Sequence, residues 1–441
     1  MDDISGQDIL GHGNGFLKSD FYYAFENIEE GLFTTRNRLK HAHKRRYVSH
    51  MFSPKAMVDF EPYMTDAIMI TCRQMNSLID TGNAGLYREL GKQNPNIRLI
   101  QKDDEAAVDV AKWNAYLAYD IISDLTFGSS FGFCSAGLDT NDGIRKLRDS
   151  GEWTVTVGQI PWIKPWTAYC YFDYFFVRGL RASQALAKIA IAAVEKRKAS
   201  VADLDRRDIL YWLLKAKNPD TDLPLPRSEV NAEALTQMVA GSDTSANTLN
   251  HVMDLMCRHP KKKAALQDEL DQAFPSPLEP DFVVPFPHCK DLVYLQAVLY
   301  ETLRLRSTVS VGLPRVVGKG GASICGQWFE EGTMVSTPTY TIHRDPRIWD
   351  EPDEFCPERW IMTAEDGTRK FNWEYEKWFL GFSYGPRACV GRNVAFMELK
   401  KTVATMFRRY DYRLVHENEK TLFREGFHLK CPKLELFVSR R

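Results

Sequence analysis

The stretch that decides the fold reads Phe382-Ser383-Tyr384-Gly385-Pro386-Arg387-Ala388-Cys389-Val390-Gly391-Arg392. It puts one cysteine in a loop bounded by glycine and proline, just before a predicted helix from about Gly391 to Tyr410. Backbone N–H groups and the positive end of the helix dipole favour an ionised thiol at such a position. Gly385 and Gly391 are expected to let a flat ligand approach the backbone, and Arg387 adds a cation. Cys389 is therefore a candidate ligand-binding thiolate.

Composition narrows the function classes. The chain has 441 residues with 57 Lys+Arg against 58 Asp+Glu, a net charge of −1, which argues against a nucleic-acid-binding protein. Hydrophobic residues make up 44% and charged residues 26%, which excludes a disordered or fibrous chain. Nine cysteines without a CxxC pair give neither a disulfide nor a zinc framework. The longest apolar stretch, Trp113 to Phe127, contains Asp120 and Asp124, so no spanning helix is predicted.

Periodicity predicts a mainly helical chain with small β-sheets, an α+β fold class and not alternating βαβ units. Helices are predicted through most of His41–Lys217, from Ser228 or Asn231 to His259, and from Asp291 to Arg306. Short strands and hairpins are expected in Gly312–Ile342, and a final strand in Lys433–Val438. One large domain over residues 1–441 fits this layout.

A second motif, Ala240-Gly241-Ser242-Asp243-Thr244-Ser245, lies in the middle of a predicted helix. Glycine there costs about 1 kcal/mol relative to alanine, so a ligand approaching closely or a local widening of the helix is expected. Asp243 and Thr244 follow Ala240 by three and four residues and share its helix face.

A third motif, Glu301-Thr302-Leu303-Arg304, sets a carboxylate and a guanidinium one turn apart in an apolar helix, which predicts a buried ion pair. His41-Ala42-His43-Lys44-Arg45 begins a basic helix.

Phe382, Gly385, Arg387, Cys389 and Gly391 resemble, in order and spacing, the haem-ligand loop of the cytochrome P450 family. The resemblance implies the cytochrome P450 fold in a single domain, with Cys389 as the axial thiolate ligand of a haem b iron and Phe382 and Gly391 in the cofactor-binding loop. It also implies that the second motif covers the oxygen side of the haem.

In the resembled family an acid–alcohol pair relays protons to bound dioxygen, which assigns this catalytic role to Asp243 and Thr244. Pro357-Glu358-Arg359-Trp360 resembles the segment that supplies Arg359 as a structural partner of Glu301 and Arg304.

The resemblance also implies a set of residues that bond the haem propionates. His41 stands where the family often has tryptophan, and Arg45 stands where it has arginine. Arg315 and Arg387 complete the set, since buried carboxylates need fork-shaped cationic partners.

Several segments are similar more narrowly to fungal benzoate 4-monooxygenases, which hydroxylate a small aromatic acid at the para position. These segments are Gly13–Tyr22, Gly31–Phe33, Pro161–Trp162, Ser307–Arg315 and Tyr340–Pro346. A benzoate carboxylate requires a donor inside an apolar pocket. The candidate donors are Ser307, Thr308, Arg306, Asn14 and Lys18.

The resemblance therefore implies a haem-thiolate monooxygenase that uses dioxygen and electrons from NADPH through a flavoprotein reductase, acts on a small aromatic substrate and works as a monomer. A basic surface beneath the thiolate would steer an acidic reductase. Its predicted members are Lys400, Lys401, Arg408, Arg409, Lys44 and Arg46. Two alternatives stay open: a reductase-independent rearrangement or dehydration of a peroxide, and an inactive truncated paralogue.

Relatives in this family are anchored at the cytoplasmic face of the endoplasmic reticulum membrane. This sequence starts almost at the aromatic loop, so we expect it to lack the anchor and the first strands and to be cytoplasmic or in peripheral contact with the membrane. Missing strands would leave unpaired edges in a late sheet that contains Ala322–Trp328 and Thr333–Thr339.

Overall fold

The computed structural model describes residues 5–81, 105–199, 206–219 and 221–441. The helices in these parts are α1 (Ser5–Leu10), α2 (Arg38–His50), α3 (Pro54–Thr81), α4 (Val110–Phe127), α5 (Phe133–Ala136), α6 (Gly143–Gln159), α7 (Tyr174–Ala199), α8 (Ile209–Lys215), α9 (Arg227–Arg258), α10 (Pro260–Ala273), α11 (Val293–Leu305), α12 (Thr339–Ile342) and α13 (Arg392–Arg409). The strands are β1 (Leu17–Lys18), β2 (Glu105–Asp109), β3 (Arg315–Val316), β4 (Ala322–Ile324), β5 (Gln327–Phe329), β6 (Met334–Val335), β7 (Ile361–Thr363), β8 (Arg369–Phe371), β9 (Tyr410–Leu414) and β10 (Glu435–Arg440). Short 3₁₀ turns include Asp20–Phe25, Pro161–Tyr169, Pro357–Trp360 and Gly385–Arg387. The mainly helical fold class with small sheets is confirmed.

Helix α9 runs through the centre of the molecule and is buried along most of its length. It packs against α4, α7, α11 and α13, so its apolar residues meet neighbours on nearly every side. The helix ends at His259 because Pro260 cannot continue its hydrogen bonding and instead becomes the first residue of α10. The helices predicted over residues 228–259, 291–306 and 391–410 are thus confirmed within a few residues.

The sheets are small and antiparallel. Strand β10 lies between β2 and β9, with Leu436 opposite Val108 on one side and Leu414 on the other. Strand β3 lies between β1 and β6. The prediction of one late sheet containing both Ala322–Trp328 and Thr333–Thr339 is wrong, because β4 pairs with β5 as a separate hairpin while β6 joins β3. The reversal at Cys325-Gly326, both with positive φ, closes that hairpin locally.

Three elements define the position of the site. The loop before α13 carries Cys389, α13 packs against α9, and the 3₁₀ turn Asp20–Phe25 packs on α6. Ser245 on α9 donates a hydrogen bond of 2.8 Å to Glu398 on α13, which ties the two central helices together. Among the described helices, none is long and apolar enough to cross a bilayer.

Candidate functional site

The cysteine loop is closed by backbone hydrogen bonds. The Cys389 N–H donates to the Phe382 carbonyl at 2.9 Å, and the N–H groups of Gly391 and Arg392 donate to the Cys389 thiol. Since Arg392 is the first residue of α13, the sulfur lies at the positive end of the helix. The Phe382 ring packs on Phe396 with centroids 5.0 Å apart, which holds the start of the loop against α13.

The Cys389 side chain is accessible to a ligand, although protein surrounds it on its other sides. Burial raises the pKa of the Cys389 thiol above its ordinary value, and the two N–H groups together with Arg45 and Arg392 lower it. The hydrogen bonds and nearby cations favour the thiolate, as expected, but burial has the larger effect on the pKa of Cys389. A thiol of this kind loses its proton when its sulfur binds a metal ion.

The glycines of the loop also have structural reasons of their own. Gly385 has a φ of +72°, and a Cβ there would lie 1.9 Å from the Leu10 carbonyl oxygen. The end of helix α1 therefore requires a glycine at 385, while the approach of a flat ligand to this backbone stays a prediction. At Gly391 a Cβ would lie 3.9 Å from the Cys389 sulfur, so a larger side chain would crowd the thiol.

Basic residues from three parts of the chain line a cavity of about 500 Å³ beside the loop: His41 and Arg45 on α2, Arg315 on β3 and Arg387 in the loop itself. Arg45 Nη1 donates to the Ala388 carbonyl at 2.5 Å, so α2 is bonded directly to the residue before the cysteine. The structure therefore brings together all four residues that the sequence assigned to the propionates.

Backbone and phenol oxygens orient the remaining arginines. Arg387 Nη1 donates to the Thr35 carbonyl at 2.6 Å, and Arg315 Nη1 donates to the Tyr22 hydroxyl at 2.5 Å. Tyr22 was not singled out from the sequence, because only the fold brings it to a residue almost 300 positions away.

The cluster carries uncompensated positive charge. Burial and then the charges of Arg387, Lys18, Arg45 and Arg315 lower the pKa of His41 to about 3. Burial lowers the pKa of Arg387 to about 10, helped by Arg315. Within the described residues, no carboxylate lies at ion-pair distance from Lys18, Arg45, Arg315 or Arg387. Such a cluster suits a ligand with two carboxylates, which is the chemistry of a haem edge.

In the middle of α9, the exposed face consists of Ala240, which is exposed, and Thr244, which is half-buried, in a helix that is otherwise mostly buried. Thr244 Oγ1 donates to the Ala240 carbonyl at 2.7 Å. The predicted widening of the helix at Gly241 is wrong, because α9 is regular α-helix there, and the close approach of a ligand stays a prediction. A Cβ at Gly241 would lie 2.5 Å from Ile122 Cδ1, so the glycine allows α4 to pack closely on α9.

Asp243 is bonded to two residues that sequence reasoning missed. Its Oδ2 lies 2.6 Å from Lys430 Nζ and 3.2 Å from His428 Nδ1. Burial alone would raise the pKa of Asp243, but Lys430 and His428 hold it well below its usual range. The only feature of the sequence that could have indicated these partners is that the segment Phe427-His428-Leu429-Lys430 places two basic residues close to an aromatic ring.

Glu301, Arg304 and Arg359 meet in a fully buried cluster. Arg304 bonds both oxygens of Glu301 at 2.8 and 2.9 Å, and Arg359 Nε donates to Oε1 at 3.1 Å. Trp360 Nε1 and the Cys356 N–H complete the shell at 2.8 and 2.9 Å. Every carboxylate lone pair faces a donor, which is the condition under which a buried ion pair is tolerated.

An aromatic cluster connects the first and last parts of the chain. Phe427 packs against Phe25 and Phe33 with centroids 4.8 and 5.9 Å apart, and Phe21 lies 6.5 Å away. The His428 ring lies next to Phe427, with centroids 4.8 Å apart and the ring planes tilted by 54°. The apolar rings therefore adjoin the charged group around Asp243.

The five predicted donors for a substrate carboxylate have protein partners. Arg306 pairs with Asp254 at 2.6 Å, and the Thr308 hydroxyl bonds Thr248 at 3.1 Å. Ser307 bonds the Leu303 carbonyl, Asn14 bonds the carbonyls of Gln7 and Asp8, and Lys18 donates to the Phe33 carbonyl. The charges of Arg387 and Arg315 act on Lys18, which puts it with the cation cluster.

The predicted basic surface beneath the thiolate is largely wrong. Lys400, Lys401, Arg408 and Lys44 are all less than 10% exposed. Lys401 donates to Glu61 at 3.0 Å and Lys44 to Glu229 at 2.5 Å, so these cations hold helices together. Arg46 is exposed and Arg409 is half-buried.

The comparisons with known proteins agree with this geometry. A model of the family described as Cytochrome P450 matches residues 8–438. A benzoate 4-monooxygenase of Aspergillus niger is 39% identical over 100% of this chain and 83% of its own length. A cytochrome P450 monooxygenase of Penicillium crustosum is 30% identical over 99% of this chain and 80% of its own. The crystal structure of cytochrome P450DA heme domain superposes with a TM-score of 0.74 at 20% identity, covering 97% of this chain and 84% of that one.

Proposed function

This chain belongs to the cytochrome P450 family, and from that premise we propose that it hydroxylates a small aromatic acid, benzoate or a close relative, at the para position. The chain is a P450 monooxygenase, an oxidoreductase. The observation that carries the choice of substrate is its 39% identity, over its whole length, to a benzoate 4-monooxygenase.

The geometry supports this choice. Phe427 and the three phenylalanines that pack around it provide apolar surface for a ring. The charged group of Asp243, His428 and Lys430 adjoins that surface, so an aromatic ring and a carboxylate would each find matching chemistry within a short distance.

We assign the cofactor haem b, with Cys389 as the sulfur ligand and with Arg45, Arg315 and Arg387 at its propionates. His41, neutral at pH 7 because its pKa is about 3, can donate one N–H to the same edge. The bound haem supplies reductive activation of dioxygen, with one oxygen atom entering the substrate and the other leaving as water. We assign the two electrons to NADPH through a flavoprotein reductase.

The remaining chemistry falls to residues of α9. Thr244 uses its hydroxyl proton in the bond to Ala240, so its oxygen lone pairs are available to accept a hydrogen bond on the exposed face. Asp243 is held ionised by Lys430 and His428, so in the proposed relay its carboxylate accepts hydrogen bonds and orients proton donors beside Thr244. Glu301, Arg304 and Arg359 act as structural supports, because their donors and acceptors are used within the cluster.

Titrating the ferric protein with aromatic acids and following the spin-state change of the haem tests the substrate. Benzoate is expected to shift the spin state, and turnover with NADPH and a reductase is expected to give 4-hydroxybenzoate. If larger apolar ligands produce the shift while benzoate does not, the proposed substrate is wrong. Turnover of a peroxide without NADPH would favour the rearrangement alternative instead.

We also propose peripheral contact with a membrane through the segment that joins α6 to α7. Its aromatic side chains are unusually exposed: Trp162 72%, Trp166 61%, Tyr169 69%, Tyr171 82%, Phe172 82% and Tyr174 75%. Tryptophan and tyrosine favour the interface of a bilayer, where an apolar ring can be buried and a polar atom hydrated. A W162A/W166A variant is expected to sediment less with phospholipid vesicles than the unaltered chain, and equal sedimentation would contradict this contact.

A further inference from the structure

We propose that Lys430 is the residue that binds the carboxylate of the aromatic acid, which it does by sharing its ammonium group between Asp243 and the substrate. This inference rests on the proposed function, since it names the anchor for the proposed substrate class. It starts from the position of Lys430 between three elements that surround the exposed face of α9.

Lys430 lies where the last loop, α6 and α9 meet. Its Nζ is 2.6 Å from Asp243 on α9 and 3.9 Å from the position that a Cβ would take at Gly151 on α6. An ammonium group has three N–H donors, and Asp243 is the one acceptor found for Nζ among the described residues. The side chain is 23% exposed, so the remaining donors can reach a ligand.

The loop presents Lys430 rigidly. Backbone hydrogen bonds of 2.8 and 2.9 Å pair Lys430 with Arg424, and the Leu429 N–H donates to the Thr308 carbonyl at 2.7 Å. The Cys431 N–H donates to Asn247 on α9 at 2.9 Å. The backbone around Lys430 is therefore already ordered before a ligand binds. Binding then costs little conformational entropy, which favours affinity.

The arrangement of hydrogen bonds around Asp243 leaves room for a second carboxylate. Lys430 and His428 both bond Oδ2 of Asp243, while Oδ1 has no hydrogen-bond donor among the described residues. Tyr119 on α4 is the other titratable group near Asp243, and burial followed by the charge of Asp243 raises its pKa, so it adds no charge. Because Asp243 takes up only one of the three Lys430 donors, a second carboxylate can share the same ammonium group.

The other cations near the aromatic cluster are already used. Lys18 belongs to the cation cluster at the proposed haem edge, and Arg306 is bonded to Asp254. In the proposed complex an acid held at Lys430 lays its ring against Phe427, three positions earlier in the same loop and in contact with His428. Because the para C–H lies opposite the carboxylate, one anchor at this end of the ring selects the para carbon.

The test compares the binding of benzoate with that of benzamide, its neutral isostere, to the haem-loaded protein by spin-state titration and calorimetry. Lys430→Met is expected to weaken benzoate binding about 10- to 100-fold, the loss of a charge-assisted hydrogen bond, and to leave benzamide within about twofold. Lys433→Met is the matched control, because Lys433 is exposed and pairs with Glu435 at 3.0 Å. Equal weakening of both ligands, or unchanged benzoate binding, would overturn the proposal.

Asp243→Asn provides a second test with the opposite sign, and it does not depend on the folding of the Lys430 variant. Removing the competing carboxylate is expected to tighten benzoate binding roughly fivefold. Weaker or unchanged benzoate binding in this variant would also contradict the anchor. If the unaltered protein binds no aromatic acid, the proposed function itself is wrong. If it binds aromatic acids and the Lys430 variant binds them equally well, only the role of Lys430 is wrong.

Discussion

Replacing Glu301 by glutamine tests whether the buried ion cluster holds the fold around the cysteine loop. The Glu301 and Arg304 side chains are both 0% exposed. The carboxylate accepts five hydrogen bonds, two from Arg304 and one each from Arg359, Trp360 and the Cys356 N–H. Glutamine turns one acceptor oxygen into an NH₂ group that faces donors, and it leaves two arginines without a counter-charge.

Breaking a buried ion pair from one side costs about 3–5 kcal/mol, a large part of the roughly 5–15 kcal/mol that stabilises a native protein. Urea unfolding should therefore show that Glu301→Gln lowers the free energy of unfolding by about that amount. Glu354→Gln is the control, since Glu354 has an exposed carboxylate while its backbone carbonyl accepts from Arg304 in the same cluster, and its loss should cost under about 0.5 kcal/mol. A Glu301→Gln variant within 1 kcal/mol of the unaltered protein would refute the reasoning.

Three further predictions concern other parts of the site. Burial raises the pKa of Glu398 from 4.5 to about 8, so the folded state keeps a proton that the unfolded state loses, and stability should fall as pH rises through that window. In urea unfolding between pH 5 and 8, the free energy of unfolding of Glu398→Gln should rise relative to that of the unaltered protein by about 1.4 kcal/mol per pH unit. A difference that does not depend on pH would contradict this. Arg315→Leu should weaken haem retention about 10- to 100-fold in a haem-transfer assay, and full retention would remove Arg315 from the proposed propionate set. Gly241→Ala should lower the free energy of unfolding by about 1–3 kcal/mol through the clash with Ile122. The same substitution should cost less in a chain that already carries Ile122→Ala, because the clashing side chain is gone. A Gly241→Ala variant as stable as the unaltered chain would contradict this close packing of α4 on α9.

The sequence predicted those features that depend on local pattern or on a compact motif. The bounds of α9, α11 and α13 follow from apolar periodicity, with a proline ending α9. The meeting of Glu301 with Arg304 follows from one helical turn of spacing. These features need no knowledge of which distant segments touch.

Contacts between distant segments could not be predicted in this way. Lys430 meets Asp243 across 187 positions, and no spacing rule indicates such a pair. The basic residues of α13 look like a solvated face in the sequence, but Lys401 is 1% exposed because α13 is covered on nearly all sides. Gly385 faces the backbone at Leu10, a neighbour that only the folded chain supplies.

The central claim is that Cys389 is the thiolate ligand of a haem iron. The most direct test is the absorption spectrum of the reduced, carbon monoxide-bound protein, recorded for the unaltered chain and for Cys389→Ser. We expect the red-shifted Soret band of thiolate ligation in the unaltered chain and its loss in Cys389→Ser. The same red-shifted band in both proteins would contradict it.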